Sequence, residues 1–78
     1  MSASEKLIAY HMLRLSDKNP SIRIQSIEEL ALLEATEAYS ALETLFRTDP
    51  DETVRRTAQK AGRVLYLKLR EKGENPAE

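Results

Sequence analysis

The sequence predicts an all-α protein made of two stacked antiparallel helical hairpins, that is, a short α-solenoid of four helices. One short pattern occurs twice, at residues 17–23 and 49–55, which lie 32 positions apart. In each copy an aspartate opens a polar turn, and an aliphatic residue and an arginine follow five and six positions later. Apolar residues also recur at helical spacing along nearly the whole chain. A repeat with a period of about 20–50 residues is typical of stacked units that bury their apolar faces against a neighbour.

The first helix is predicted over about residues 3–15. Ser2 and Glu5 are spaced as a capping box, in which each side chain satisfies a free amide at the start of the helix. A narrow apolar stripe follows at three-residue spacing: Leu7, Tyr10 and Leu13. Residues 16–19 are polar and are predicted to break the helix.

The second helix is predicted to begin at Asn19 and Pro20. Asparagine is a favoured N-cap, and proline lacks only an amide that has no partner in the first turn. The inward stripe of this helix is predicted to contain Ile22, Ser26, Leu30 and Leu33, with Ile27 alongside. The bend at residues 34–36 contains neither glycine nor proline, so its position is predicted from the repeat.

The second hairpin follows the same plan. Thr36 is the predicted cap of the third helix, and Asp49 or Asp51 is the predicted cap of the fourth. The third helix is marked by Tyr39, Leu42, Leu45 and Phe46, and the fourth has a predicted inward stripe of Val54, Ala58, Ala61 and Leu65. Gly73 is a natural left-handed stop for the fourth helix.

These elements predict a single domain over residues 1–73, with a first repeat at about 3–34 and a second at about 36–72. Residues 74–78 follow the predicted helix stop and have no apolar anchor, which indicates a flexible tail. A chain of 78 residues has a marginal core, and without cysteine it has no disulfide or thiolate metal site to support that core. Association with another chain is therefore expected.

The charge balance is nearly even, with 12 basic and 13 acidic residues and a net charge of −1. This balance indicates neither a general nucleic-acid binder nor an acidic tail. No apolar run approaches the roughly 20 residues needed to cross a bilayer, and the first residues lack the apolar core of a secretory signal. We therefore expect no membrane association and a cytoplasmic location.

A helical hairpin that carries an aspartate, a short turn, an aliphatic residue and an arginine resembles the HEAT family of repeats, including HEAT-like repeats of the PBS-lyase type. The resemblance is carried by Asp17, Ile22, Arg23, Ser26 and Leu30 in the first copy and by Asp49, Val54, Arg55, Ala58 and Ala61 in the second. It covers residues 3–72. The sequence departs from the pattern at Ser26, where the family usually has alanine, and at Gly62, where the first copy has Leu30.

The resemblance implies a structural role for four residues of the repeated pattern: Asp17, Arg23, Asp49 and Arg55. In HEAT-like proteins the aspartates and arginines of successive turns commonly bond into a ladder that fixes the stacking. The residue types agree with this role, because an aspartate at a helix start complements the helix dipole and an arginine can bridge neighbouring turns. The alternative is that either arginine binds a ligand.

Differences between the two copies suggest surfaces that bind a partner. Ile8, Met12 and Leu15 form a second apolar stripe on the first helix, whereas their equivalents in the third helix are polar. The fourth helix is apolar almost all round near Tyr66 and Leu67. We expect these five residues to contact a protein partner, in a homodimer or a hetero-complex, because exposed apolar patches are usually covered. The alternative is that they pack internally.

The resemblance also implies a polar binding face, since the second helix of each pair lines the concave surface of HEAT-like folds. The candidate contact residues are Gln25, Glu28, Glu29, Leu32, Arg56, Gln59, Lys60 and Arg63. Arg56, Lys60 and Arg63 share one helical face, so polyanion or nucleic-acid binding is an alternative function. An acidic protein partner and a merely solvated face are two further interpretations.

No catalytic constellation is visible. His11 is the only histidine, and the chain has no cysteine to pair with it. Glu28 and Glu29 are adjacent and point apart on a helix, so they do not form an acid–base pair. We therefore expect no enzyme activity, no cofactor and no metal, and we predict a protein-interaction module such as an adaptor, scaffold or assembly factor. The resemblance to lyase-type repeats also suggests action on a chromophore protein, but no residues of the sequence resemble a pigment site.

Overall fold

The computed structural model describes residues 2–74, which contain four α-helices and no strand. The helices are α1 (Ala3–Arg14), α2 (Pro20–Leu32), α3 (Tyr39–Thr48) and α4 (Glu52–Glu71), and a short 3-10 turn (Thr36–Ala38) leads into α3. α1 pairs with α2, α3 pairs with α4, and α2 packs on α4, so that the two hairpins stack. The predicted all-α solenoid is confirmed. Of the predicted tail, only Glu74 lies within the described residues.

Three helices begin with the predicted cap chemistry. At α1 the Ser2 hydroxyl accepts from the Glu5 amide and the Glu5 carboxylate accepts from the Ser2 amide, both at 3.1 Å. At α2 the Asn19 side chain accepts from the amide two residues later at 2.9 Å. At α4 the cap is Asp51, whose carboxylate accepts from the Val54 amide at 2.9 Å. Of the two candidate caps for α4, Asp51 is therefore the one used.

The connection between α2 and α3 differs from the prediction. Thr36 lies inside the 3-10 turn, and no side chain caps α3. Glu34 makes the reversal, with a left-handed φ of 53°, and the Ala35 amide then donates to the Leu30 carbonyl at 3.0 Å. The same backbone motif ends α4, where Gly73 has a φ of 82°, as predicted. This turn was not predictable from the sequence because glutamate rarely adopts a left-handed conformation.

The hydrophobic core lies where α2, α3 and α4 meet. Its fully buried apolar side chains include Ile27, Leu30, Leu42, Val54, Ala58 and Leu65. The inward stripe predicted for α4 is buried along its whole length. Burial of one leucine or isoleucine side chain contributes about 1.5–3 kcal/mol, so this cluster is the main favourable term in folding.

α1 turns a different face inward from the one that the repeat suggested. Leu13 is 80% exposed, whereas Leu15 is only 5% exposed and belongs to the core. Ile8 and Met12 are half-buried and pack against the same core. The prediction that Leu15 lies on a partner-binding stripe is therefore wrong. α1 carries two apolar stripes, and the inward one lies beside His11, whose ring is hydrogen-bonded to α2.

Candidate functional site

The loops that open α2 and α4 are joined by a buried ion pair. Arg23 donates from Nε to Asp49 Oδ2 at 2.8 Å and from Nη2 to Asp49 Oδ1 at 2.9 Å. Its Nη1 donates to the Asp17 carbonyl at 2.7 Å, within the same repeat. One guanidinium therefore holds its own loop and the loop of the next repeat at once, a geometry that only the planar fork of arginine provides.

The two loops share two kinds of hydrogen bond. Arg55 donates from Nη1 to the Asp49 carbonyl at 2.7 Å, as Arg23 does to the Asp17 carbonyl. The carboxylates of Asp17 and Asp49 each accept from the amide two residues later, at 2.9 Å. These contacts support the structural role suggested for the four residues, and they engage both arginines in the loops rather than in an open site.

The environment of Asp49 stabilises its ionised form. Burial alone would raise the pKa of this carboxyl, but the hydrogen bonds from Arg23 and the Asp51 amide, with the charges of Arg23 and Arg55, outweigh it and lower that pKa. The pKa of Arg23 is raised, chiefly because its guanidinium donates to Asp49. Both groups therefore remain charged across the physiological pH range.

A groove runs along the surface between α2 and α4, with a volume of about 580 Å³. We call it the α2–α4 groove, and its lining consists of Gln25, Glu28, Glu29, Ala31, Leu32, Thr57, Lys60, Ala61 and Val64. Leu32 is 78% exposed and Val64 is 43% exposed. The groove brings together four of the polar residues predicted to contact a partner, three from α2 and one from α4.

A second groove, of about 610 Å³, runs between α3 and α4. We call it the α3–α4 groove, and its lining consists of Tyr39, Glu43, Phe46, Gln59, Lys60, Gly62, Arg63, Tyr66, Leu67 and Arg70. The rings of Tyr39 and Tyr66 lie 6.2 Å apart, and the Tyr39 hydroxyl donates to Glu43 at 3.1 Å. Burial, with this bond to Glu43, raises the pKa of Tyr39. The predicted contact residues Tyr66 and Leu67 both lie here.

The predicted polar face is therefore divided between surfaces. Gln59 and Arg63 line the α3–α4 groove, while Lys60 lines both grooves. Arg56 lines neither groove, and its guanidinium donates to the Glu52 carboxylate one turn earlier at 3.1 Å. The three basic residues that share one helical face in the sequence thus do not form one basic patch.

The remaining apolar candidates on α1 lie apart from both grooves. Ile8 and Met12 line a shallow depression of about 590 Å³, together with Leu13 and the acidic side chains Glu5 and Glu37. Leu15 is absent from this surface because it is buried. The five predicted apolar contact residues are thus not brought together.

A buried polar cluster between α1 and α2 was missed by the sequence analysis. His11 Nδ1 lies 3.1 Å from Ser26 Oγ, and Arg14 Nε donates to the same hydroxyl at 3.3 Å. The Arg14 guanidinium also lies 5.0 Å from the centre of the Tyr10 ring, a cation–π distance. One signal for the cluster was present, since Ser26 stands where the second repeat has Ala58.

Comparisons with known proteins bear on the fold and the family. A family model for HEAT repeats matches residues 3–62. Neither the curated proteins nor the solved structures gave a match.

Within residues 2–74, no cluster of histidine, aspartate and glutamate has an arrangement that would hold a metal ion. In the same part of the chain, no helix has both the length and the apolar character needed to span a bilayer.

Proposed function

Because the chain belongs to the HEAT-repeat family, we propose that it is a non-catalytic protein-interaction module that binds a partner through the α2–α4 groove. HEAT repeats are generally protein-interaction modules, and the family is typically non-enzymatic. An adaptor or scaffold role in the cytoplasm, carried by residues 1–73 as one two-repeat unit, is part of this proposal.

The observation that carries the proposal is the relationship between Leu32 and Val64. The two residues are equivalent in the repeat, 32 positions apart, and both are exposed in the same groove. Because neither side chain is needed to fill the core, packing does not explain an apolar residue at both positions. Exposed apolar side chains that line one groove provide the anchor that a protein partner needs.

The polar lining of the groove favours a protein over a polyanion. Glu28 and Lys60 stand at equivalent positions of the two repeats and carry opposite charges, and Glu29 adds a second carboxylate. Phosphates would be repelled by the two carboxylates, whereas a peptide can offer complementary groups of both signs. The groove therefore suits a mixed-charge protein surface.

Site-specific photo-crosslinking tests the proposal. A photoreactive amino acid is placed at position 32, 64 or 13, and each protein is exposed to extract from its cell of origin. Leu13 is the matched control because it is an exposed leucine that lies outside the groove, on α1. We expect the same protein adduct from positions 32 and 64 and not from position 13. No shared adduct from the two groove positions, or an identical adduct from all three, would overturn the proposal.

Light scattering across a concentration series distinguishes a homodimer from a hetero-complex. If the partner is a second copy, the mass doubles with concentration, and Leu32→Glu returns it to that of a monomer. A protein that is monomeric at every concentration would exclude a second copy as the partner. Circular dichroism of the variant checks that the helices are retained, so that a lost dimer is not confused with a lost fold.

A further inference from the structure

The α3–α4 groove differs from the α2–α4 groove in its lining, and it has no role in the proposed function. At its floor lies Gly62, which is buried, yet within residues 2–74 a Cβ added there would meet no atom within 4 Å apart from its chain neighbours and the nearby backbone of α4. The equivalent residue of the first repeat is Leu30, which is fully buried under the second repeat. The fourth helix thus has an open space where the second helix has a packed leucine.

This open space has an energetic cost and no visible internal benefit. Glycine inside a helix is about 1 kcal/mol less favourable than alanine. No neighbouring side chain comes close enough to Gly62 to require the missing Cβ. A small residue at the floor of a groove allows a side chain or backbone from another molecule to approach closely.

The walls beside Gly62 are apolar and held in place. Phe46 and Leu67 are exposed, and Tyr66 is half-buried against Tyr39. The Tyr39 hydroxyl is fixed by its bond to Glu43. Aromatic side chains that are already ordered lose little entropy on binding, and they are among the residues that contribute most at interfaces.

The rim of the groove is positively charged. Lys60, Arg63 and Arg70 line it, and none of the three forms an ion pair in the described part of the chain. The one carboxylate of the lining, Glu43, already accepts from Tyr39 and from Arg47. From position 60 to position 70 the cations extend along about 15 Å of helix, at the usual rise per residue.

We propose that the α3–α4 groove is a second binding site, and that it takes an acidic, amphipathic helical peptide segment of a partner protein. One apolar side chain of that segment lies over Gly62 between the aromatic walls. Carboxylates one to three turns apart on the same segment pair with the cations of the rim. This site differs from the α2–α4 groove in its apolar lining and in the sign of its charge, and only Lys60 is common to both.

The experiment is selection of binders from a displayed library of random 16-residue peptides, with the whole chain as the bait. We expect the enriched sequences to be rich in glutamate and aspartate around one or two apolar residues. Gly62→Leu fills the open space with a residue that favours the helix more than glycine does, and should weaken binding of the selected peptides by at least about tenfold. Arg63→Glu combined with Arg70→Glu should also weaken binding of the selected peptides. Binding by this double variant should depend on salt no more steeply than binding by the wild type.

Two matched controls separate this site from its surroundings. Arg56→Glu reverses one arginine charge on the same helix outside both grooves, where the double variant reverses two, and Leu32→Glu changes only the α2–α4 groove. We expect neither to weaken binding of the peptides. If Leu32→Glu abolishes binding and Gly62→Leu does not, the peptides use the other groove and this proposal is overturned. The proposed function would still stand in that case.

Three further outcomes would overturn the proposal. The first is a library that yields no binders, or binders without acidic residues. The second is a labelled single-stranded oligonucleotide that binds the wild type and is lost with Arg63→Glu, because the groove would then be a nucleic-acid site. The third is self-association that Gly62→Leu abolishes, since a second copy would then be the occupant. Circular dichroism of each variant confirms that it is folded.

Discussion

The guanidinium of Arg23 holds the carboxylate of Asp49 through two hydrogen bonds, at 2.8 and 2.9 Å, across the boundary between the two repeats. Asp49 is also the point at which the second loop is organised. Its carboxylate accepts from the Asp51 amide, and its carbonyl accepts from Arg55. A single side chain thus fixes the stacking of the repeats and the start of α4, which forms one wall of both grooves.

Removal of this carboxylate should strongly lower the free energy of unfolding. We expect Asp49→Ala to lower the free energy of unfolding by about 3 kcal/mol. This value is the lower end of the range for a buried ion pair, because the pair lies close to the surface of a small domain. A domain of this size commonly has only about 3–5 kcal/mol of stability in total. Urea unfolding followed by circular dichroism measures the loss.

Asp17→Ala is the control. Within the described residues its carboxylate accepts only from the Asn19 amide, so a loss of about 1 kcal/mol is expected. Equal losses would contradict the special role of Asp49.

Stability should also fall in acid. The folded-state pKa of Asp49 is lowered, so the unfolded chain binds a proton at a higher pH than the folded one. The contribution of this group is then fully present above its unfolded pKa of about 3.9 and is lost as the pH falls through the folded pKa. We expect the urea midpoint to be constant near neutral pH and to decrease below about pH 4.

Protonation of Glu5 should also lower the stability in acid, since hydrogen bonds with the Ser2 backbone and side chain lower the pKa of its carboxyl. Glu5→Gln therefore serves as the control for the acid titration. Most of the decrease should remain in that variant, because Glu5 is fully exposed and Asp49 is buried. A midpoint that is unchanged down to pH 3, or a decrease that disappears with Glu5→Gln, would assign the effect elsewhere.

The elements that the sequence predicted well have strong local signals. Asn19 with Pro20 opens α2, Asp51 opens α4, and Gly73 ends it, each by backbone chemistry confined to a few neighbouring residues. The inward stripe of α4 was predictable because valine, alanine and leucine alternate with charged residues at helical spacing. Local chemistry and periodicity agree at these places, so the prediction required no knowledge of tertiary contacts.

The inward face of α1 was not predictable in this way. Its two apolar stripes are similar in length, and the repeat favoured the stripe of Leu13 over that of Leu15. The choice depends on contacts between helices, among them the packing of Leu15 in the core and the hydrogen bond of His11 to Ser26, which no spacing within α1 reveals. The division of the basic face of α4 has a related cause: α4 packs against both α2 and α3, so its exposed residues border two grooves.

Ser26→Ala should destabilise the protein even though the second repeat has an alanine at the equivalent position. The substitution removes the hydroxyl that lies at hydrogen-bond distance from His11 and Arg14, and it leaves a buried imidazole nitrogen without that partner. An unsatisfied buried polar group costs about 1–3 kcal/mol. Thermal unfolding measures the change. Ser21→Ala, at an exposed position of the same helix, is the control and should have little effect. A neutral Ser26→Ala would mean that the cluster does not hold α1 on α2.

A pair of leucine substitutions tests which face of α1 packs inward. Leu15→Ala should cost about 2–5 kcal/mol, because it leaves a cavity in the core. Leu13→Ala should change the free energy of unfolding by less than about 0.5 kcal/mol, since that side chain is 80% exposed. Both changes remove the same side-chain atoms, from Leu13 in the last turn of α1 and from Leu15 at its C-cap, so the comparison chiefly reports the difference in burial. The reverse order of effects would show that α1 packs through its other stripe.

Glu34→Gly should stabilise the protein, which is unusual for a mutation to glycine. Glu34 has a φ of 53°, and a left-handed conformation costs a residue with a side chain about 1–2 kcal/mol. Glycine avoids this strain but loses more entropy on folding, about 0.5–1 kcal/mol, so the expected net gain is about 0.5–1 kcal/mol. The substitution also removes an exposed ion pair with Lys68, at 2.8 Å, which contributes little to stability.

Glu34→Ala is the control, because it loses the same ion pair and keeps the backbone strain. If both variants are less stable than the wild type by the same amount in urea, relief of the backbone strain gives no net stability and the prediction is wrong.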